Sequence, residues 1–382
     1  MKPSKLFIFY PFVQSFGGIE RLLIDFHQQC GTRGIETSLV CFRNAVDFSR
    51  YTDLPFEVQE LSGPRSISSE MLRLRKWSRG LSTDQHLLVM EMCGVLYGTA
   101  LPIPYALHIA DTPDLLPRDI IKYSFSTGMP EFVARDKPSL FRRLKGELML
   151  RLVRHGVQKA SQRLTMTNRN RLELERTFLA PFAVTPPGIA EVVPADGPNR
   201  SECVFLSVCR LEPTKRVDWI ILAFAEIPES LRKNARLDIV GEGSAAASLK
   251  DVATEVGIAG QVHFRGHVSE EELEACYQAS SVFVMPAKQG YGLPGLESLA
   301  RGPRLIVHRE SGVSEILHSC DRAFLIDDKV SLRNAMVELC RTHEQTSRKC
   351  LNLRTSDHWC QEILEYCGWA SSSGDLEFGS GH

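Results

Sequence analysis

Met285-Pro-Ala-Lys-Gln-Gly-Tyr-Gly-Leu-Pro-Gly-Leu-Glu-Ser-Leu-Ala-Arg-Gly302 runs from an apolar strand, Val282 to Met285, through a glycine-rich turn into a helical pattern. Pro294 suits the first helical turn, where its missing N–H would have gone unpaired in any case. The amides of Gly290, Tyr291, Gly292 and Leu293 then stand at the positive end of a helix. That end lies at the carboxyl edge of a sheet, where open α/β sheets bind their ligands. A loop of this kind is shaped to hold anionic or hydroxyl-rich groups. Glu297, about one turn into the helix, brings a carboxylate to the same edge and can accept hydrogen bonds from vicinal hydroxyls such as those of a ribose. Taken alone, the segment also reads as an ordinary strand-to-helix junction, with glycine serving only the turn.

Its neighbours add chemistry. In Ser207-Val-Cys-Arg-Leu-Glu-Pro-Thr-Lys-Arg216 a strand ends at Arg210 and a short loop brings Lys215 to the next helix. Two fixed cations at one strand end can neutralise a diphosphate and stabilise it as it departs with more charge. Solvated surface charge is the plainer account of such a pair. Asp238-Ile-Val-Gly-Glu-Gly243 is a further strand ending in a glycine turn at Gly241, although G-x-G by itself says little. Glu310-Ser-Gly-Val-Ser-Glu315 follows the next strand, where Glu315 is either a ligand or an acid favoured by the helix dipole.

Working outward, strands at 203–209, 236–240, 262–264, 282–285, 304–307 and 323–326 alternate with helical segments. A second alternating series occupies the first half, with strands at 6–10, 37–42, 86–90, 104–109 and 163–167 and a helix over 19–29. Alternation of this type predicts parallel sheets with crossover helices, so the fold class is α/β with two doubly wound domains. The pattern between Glu57 and Gly80 is too weak to assign. The turn-rich break from Pro186-Pro-Gly188 to Pro198 reads as the linker. The domains are placed at 1–187 and 188–355, with a helix at 356–370 and a Gly/Ser-rich tail without fixed structure at 371–382.

A chain of 382 residues exceeds what one core comfortably supports. Hydrophobic content of 43%, charged content of 24% and a formal net charge of −1 describe an ordinary globular protein with no global pull toward nucleic acid. The apolar run at 6–10 is too short for a signal peptide, and no uninterrupted apolar stretch is long enough to span a bilayer, so a cytoplasmic location is expected. The 11 cysteines are odd in number, scattered, and form no C-x-x-C pair, which fits reduced thiols. There is no G-x-G-x-x-G opening a first helix, which argues against a dinucleotide-dependent dehydrogenase. There is also no Asp-x-Asp triplet and no His/Cys/carboxylate cluster at metal spacing.

The order of elements and motifs resembles glycosyltransferase family 4, the retaining enzymes of GT-B architecture in which two Rossmann-like domains face one another across a cleft. The likeness covers nearly the whole chain and is most specific from Phe205 to Glu315. It implies that Arg210 and Lys215 contact the donor diphosphate, that Glu297 binds the ribose, and that Gln289 stands where the family has the first glutamate of its Glu-x7-Glu signature. Glutamine still hydrogen-bonds sugar hydroxyls but adds no negative charge near an oxocarbenium-like centre. In the first half, Gly17-Gly18-Ile-Glu20 resembles the family's Gly-Gly-x-Glu, where the backbone approaches the donor phosphate and the reacting sugar. His108, in Tyr105-Ala-Leu-His-Ile-Ala-Asp111, resembles the histidine that contacts the transferring sugar. Thr165-Met-Thr-Asn-Arg169 falls where the family closes its first domain, and His358 to Tyr366 resembles the helix that returns to that domain.

The resemblance implies transfer of a sugar from a UDP- or GDP-sugar, bound as substrate, to a glycan or lipid-linked acceptor in polysaccharide biosynthesis, with no metal and no further cofactor. In the catalytic set it places His108, Arg210, Lys215 and Gln289. Over 137–159, Leu140, Leu144, Leu148 and Leu152 share a helical stripe with Arg142, Arg143, Lys145, Arg151 and Arg154 around it. Such a helix can rest on anionic lipid or pack into the first domain. Two alternatives stay open, a catalytically silent nucleotide-sugar or glycan-binding subunit and a nucleotide-sugar epimerase.

Overall fold

A computed structural model describes residues 3–110, 140–190, 202–318, 320–342 and 353–370. The chain forms two units, Met1–Ala190 with Arg354–His382, and Glu191–Leu353. The segment 371–382 and the start of the basic helix at 137–139 lie outside the described residues.

In the first unit the elements are β1 (Lys5–Phe9), β2 (Phe12–Val13), α1 (Gly18–Thr32), β3 (Glu36–Cys41), β4 (Arg43–Asn44), β5 (Glu57–Glu60), α2 (Ile67–Ser78) and β6 (Gln85–Met90). They continue with α3 (Glu91–Gly98), β7 (Ala106–Ile109), α4 (Leu140–Lys159), β8 (Gln162–Thr165), α5 (Asn168–Phe178) and β9 (Ala183–Val184). The main sheet is parallel in the order β5-β3-β1-β6-β7-β8-β9. The Leu6-Phe-Ile-Phe9 run is buried on both faces, as expected of a central strand between two helical layers. The stretch 57–80, illegible in the sequence, holds β5 and α2. β5 is an edge strand with none of its residues buried, so it carries no apolar run.

Helix α4 corrects the expected stripe. Val153 and Val157 enter the core with Leu150 and Leu152 half-buried against it, whereas Leu148 is 58% exposed. The side chains of 140–147 lie outside the described residues.

The second unit contains β10 (Cys203–Val208), α6 (Val217–Ala225), α7 (Glu229–Arg232), β11 (Ala235–Val240), α8 (Ala246–Glu255), β12 (Val262–Gly266), α9 (Glu270–Ala279) and β13 (Val282–Met285). After these come α10 (Leu293–Ala300), β14 (Arg304–His308), β15 (Ala323–Ile326) and α11 (Lys329–Arg341). Its sheet is again all parallel, ordered β12-β11-β10-β13-β14-β15. Helices α6, α8 and α11 cover one face through Ile220, Phe224, Leu249 and Met336.

The last helix, α12 (Ser356–Tyr366), belongs to the first unit and lies on α1. Thr355 caps it, its hydroxyl accepting from the His358 amide. Trp359 is buried edge-on to Phe26, and its indole N–H reaches the Thr185 carbonyl at 3.1 Å. Just before the helix, the Ile189 amide donates to the Arg354 carbonyl. A β carbon on Gly188 would lie 2.1 Å from Thr355 C, so this crossing of two backbones needs the glycine. The described cysteines are free thiols, buried or half-buried. Among the described residues no helix is long and apolar enough to cross a membrane.

Candidate functional site

The second sheet changes direction between β10 and β13. From β10 the chain moves outward to β11 and β12, and from β13 it moves the other way to β14 and β15. Loops leaving two adjacent strands in opposite directions open a crevice at their carboxyl ends, the usual ligand site of such sheets. Those two loops are 209–216 and 286–292, which carry the residues singled out in the sequence.

The loops are joined side chain to side chain. Lys215 Nζ donates to Gln289 Oε1 at 2.6 Å, and both residues are half-buried. Arg216 Nη1 reaches the Pro286 carbonyl at 3.4 Å. Arg210 is exposed at the end of β10. The loop is fixed from its other side by Glu212, whose carboxylate takes the Ser244 hydroxyl at 2.6 Å; this contact holds the Glu212 carboxyl below its ordinary range.

The glycine loop is supported from behind. The Gln289 amide donates to Ser311 Oγ, Ser311 Oγ donates to the Ala287 carbonyl, and the Gly312 and Val313 amides donate to the Gln289 and Tyr291 carbonyls. Gly292 has φ +114, and a β carbon there would lie 2.7 Å from Met285 Cε, so glycine is imposed by the fold. Tyr291 and Leu293 bury their side chains, leaving only backbone to face a ligand, and Gly290 is half-buried between them and Gln289. Glu297 lies on α10, with its carboxylate accepting from the Tyr277 hydroxyl at 3.1 Å. Glu315 is half-buried in the short turn Gly312–Ile316, yet the residues that tie this segment to the loop are Ser311, Gly312 and Val313.

Gly241 has a structural duty. It has φ +129, and an added β carbon would lie 1.9 Å from the Cys209 carbonyl oxygen. The glycine lets the ends of β10 and β11 approach.

In the first unit, Gly17 caps α1 in an extended conformation and its carbonyl receives the Arg21 amide. A β carbon on Gly18 would meet nothing within 4 Å. No crowding by the fold demands glycine at position 18. His108 is not at the edge where the resemblance puts the sugar-contacting histidine. Its side chain is 0% exposed on the sheet face covered by α1 and α12, in a pocket lined by Leu22, Phe26, Met90, Trp359 and Ile363. Among the described residues neither ring nitrogen has a hydrogen-bond partner, and burial pushes the imidazole down to about 4. His108 is the penultimate residue of β7, and the alternation of side chains along the strand turns it onto the face packed by α1 and α12.

Three residues join the candidates from the structure. Tyr277 orients Glu297 from another helix, a contact with no local sequence signal. Arg216 makes its turn at φ +56 and stacks on Trp219 at 4.4 Å. Glu91 makes the turn after β6 at φ +62.

Residues 191–349 match the family described as glycosyl transferases group 1. The D-inositol 3-phosphate glycosyltransferase of Acidothermus cellulolyticus is 29% identical over 163 residues, 38% of this chain and 36% of that protein. A GDP-mannose-dependent alpha-(1-6)-phosphatidylinositol monomannoside mannosyltransferase of Mycobacterium tuberculosis is 30% identical over 128 residues, 31% of this chain and 33% of that protein. The matched regions thus span about a third of these curated relatives. In overall fold the chain is similar to Anabaena HepE in complex with UDP and glucose, with TM-score 0.70, 15% identity and coverage of 96% of this chain and 100% of that one. It is also similar to WaaG, a glycosyltransferase involved in lipopolysaccharide biosynthesis, with TM-score 0.64, 17% identity and 96% of both chains covered. The fold is GT-B, and together with the family match on the second unit these likenesses support a glycosyltransferase.

Proposed function

We propose that the protein is a retaining, metal-independent glycosyltransferase that moves a sugar from a nucleoside diphosphate donor to a glycan or lipid-linked saccharide. The observation that carries this reading is the Lys215–Gln289 contact at the switch point of the second sheet. It puts a cation of the loop that also carries Arg210 beside the glycine loop.

In the mechanism that follows, the second unit binds the donor. The diphosphate lies against Arg210, Lys215 and the amides at the start of α10, and Glu297, held by Tyr277, takes the ribose hydroxyls. As the bond to the sugar breaks, negative charge grows on the leaving diphosphate, and the two cations stabilise it there. The acceptor hydroxyl attacks on the face the diphosphate leaves, so the leaving phosphate takes the proton. The names of the relatives, acting on inositol phosphate or a phosphatidylinositol mannoside, support a phosphate-bearing or lipid-linked acceptor. Exposed Leu148 and Arg151 on α4 suit contact with the inner face of a membrane, which flotation with anionic liposomes at low and high salt tests.

Incubating the pure protein with UDP- and GDP-sugars and following nucleoside diphosphate release tests the reading. Release is expected with one of them. Tight binding with no turnover under any condition would instead favour a silent binding subunit, the reading to which the glutamine at 289 lends weight.

A further inference from the structure

Two helices of the second unit, α9 and α10, are joined through one arginine. Arg301 closes α10, and its side chain, 16% exposed, reaches across to α9. Its Nε donates to Glu274 Oε2 at 2.5 Å, its guanidinium covers the Tyr277 ring at 5.1 Å, and its Nη1 donates to the Glu297 carbonyl at 2.8 Å. Glu274 and Tyr277 are three residues apart on α9, hence on one face of that helix.

Tyr277 is 2% exposed and packs on Phe283 of β13, with ring centroids 5.9 Å apart. Its hydroxyl donates to Glu297 Oε2 at 3.1 Å. Glu297 is therefore gripped at both ends, the carboxylate by Tyr277 and the backbone by the same arginine that covers the Tyr277 ring.

Ordinary closure of a helix does not account for this. The last carbonyls of a helix lack partners within it, and a cation near them is favourable. Arg322, 6% exposed, already serves that end of α10, donating from Nη2 to the Leu299 carbonyl at 2.7 Å and from Nη1 to the Gly302 carbonyl at 3.0 Å. The contacts of Arg301 converge instead on Tyr277 and Glu297. A planar guanidinium gives hydrogen bonds in two directions while stacking on a ring, which the compact ammonium of a lysine does not.

We infer that Arg301 is a positioning residue for the donor nucleotide: through Tyr277 and the Glu297 backbone it fixes the carboxylate that takes the ribose hydroxyls, and so sets how strongly the site prefers ribose to deoxyribose. This role rests on the donor-binding reading above. An unheld glutamate samples several rotamers and must be ordered when a ligand arrives, whereas a carboxylate already in place makes its charge-assisted bonds at lower entropic cost.

Affinities for UDP and GDP and for their 2′-deoxy counterparts, measured by calorimetry beside thermal melts, test this. A hydrogen bond from a sugar hydroxyl to a carboxylate is worth about ten- to a hundredfold in affinity, so the wild type should bind a ribonucleotide at least about tenfold more tightly than its deoxy form. Tyr277→Phe removes only the hydroxyl, Arg301→Lys keeps the charge without the fork, and Glu274→Ala releases the guanidinium from α9. In each, the ribose preference should fall at least about threefold, while affinity for the deoxynucleotide stays within about twofold of wild type. A general loosening of the unit would weaken both nucleotides alike and leave their ratio unchanged, and that result overturns the inference. So does a loss of preference confined to Tyr277→Phe. If Arg301→Lys does not fold, Glu274→Ala decides in its place. A wild type that binds both forms equally removes Glu297 from the ribose and Arg301 with it, while release of nucleoside diphosphate from a UDP- or GDP-sugar would leave the glycosyltransferase reading standing. If no nucleotide binds and none is released, that reading fails as well.

Discussion

Lys215 spends one of its three N–H donors on Gln289, at 2.6 Å, across the gap between the loops that follow β10 and β13. The partner is neutral. The ammonium is therefore aimed by a hydrogen bond that leaves its charge unneutralised by residue 289, which a carboxylate there would not do.

The first prediction follows from that contact. Gln289→Glu places a fixed anion beside Lys215, so part of the attraction for a diphosphate is cancelled. Nucleoside diphosphate affinity should weaken by about 1 kcal/mol, roughly fivefold in Kd, and by less at high salt. Calorimetry at two ionic strengths measures this, and an affinity that stays level or tightens would show that Lys215 does not face the diphosphate.

Arg210 is exposed and acts, in the proposed mechanism, on charge that develops only as the donor bond breaks. Arg210→Ala should therefore lower kcat by about 30- to 1,000-fold, equivalent to roughly 2 to 4 kcal/mol, with a much smaller change in donor KM. Wild-type turnover in this variant would remove Arg210 from the mechanism.

Two glycines chosen on the same sequence grounds should behave in opposite ways. Gly241→Ala drives a β carbon to 1.9 Å from the Cys209 carbonyl at a φ of +129, and should destabilise the second unit by about 2 kcal/mol or more. Gly18→Ala meets nothing within 4 Å and begins a helix, so the fold should hold or gain about 0.5 kcal/mol. If donor or acceptor approaches the backbone there, transfer should still fall at least about tenfold. Thermal melts beside rate measurements separate the two, and an alanine at 18 that leaves transfer untouched would make that glycine incidental.

These contrasts show where sequence reading reached its limit. The central strand Val282–Met285 was legible to the residue, because a strand buried on both faces must be an unbroken apolar run between turn signals. The edge strand Glu57–Glu60 was not, having no buried residue to mark it. Within the second site, Lys215, Gln289 and Glu297 could be found because each sits near a glycine or proline turn in the chain. Tyr277, which aims Glu297, could not, since the two meet only when α9 packs beside α10. His108 shows a different limit. Its place near the end of β7 was legible, but the face it enters, the one packed by α1 and α12, depends on contacts from distant parts of the chain.

The buried imidazole yields the last prediction. His108 is fully buried among apolar side chains with neither nitrogen paired among the described residues, and burial alone pushes its pKa from 6.5 to about 4. Between those values the unfolded chain binds a proton that the folded chain refuses, so stability is fully present above about pH 6.5 and is lost as the pH falls toward 4. The linkage is worth about 2 kcal/mol between pH 7.5 and pH 5, taking one pKa unit as 1.36 kcal/mol. His27, His86 and His308 are also shifted down by burial and act in the same direction, so the total slope belongs to the set. His108→Leu isolates one member. Urea unfolding at the two pH values should show that about 2 kcal/mol of the acid-induced loss disappears in this variant. Its transfer rate at pH 7.5 should stay within about twofold of wild type, whereas a ring that touched the transferring sugar would lose tenfold or more. A variant that keeps the full acid sensitivity would mean that His108 is protonated in the folded protein, and that the pocket between β7, α1 and α12 admits water.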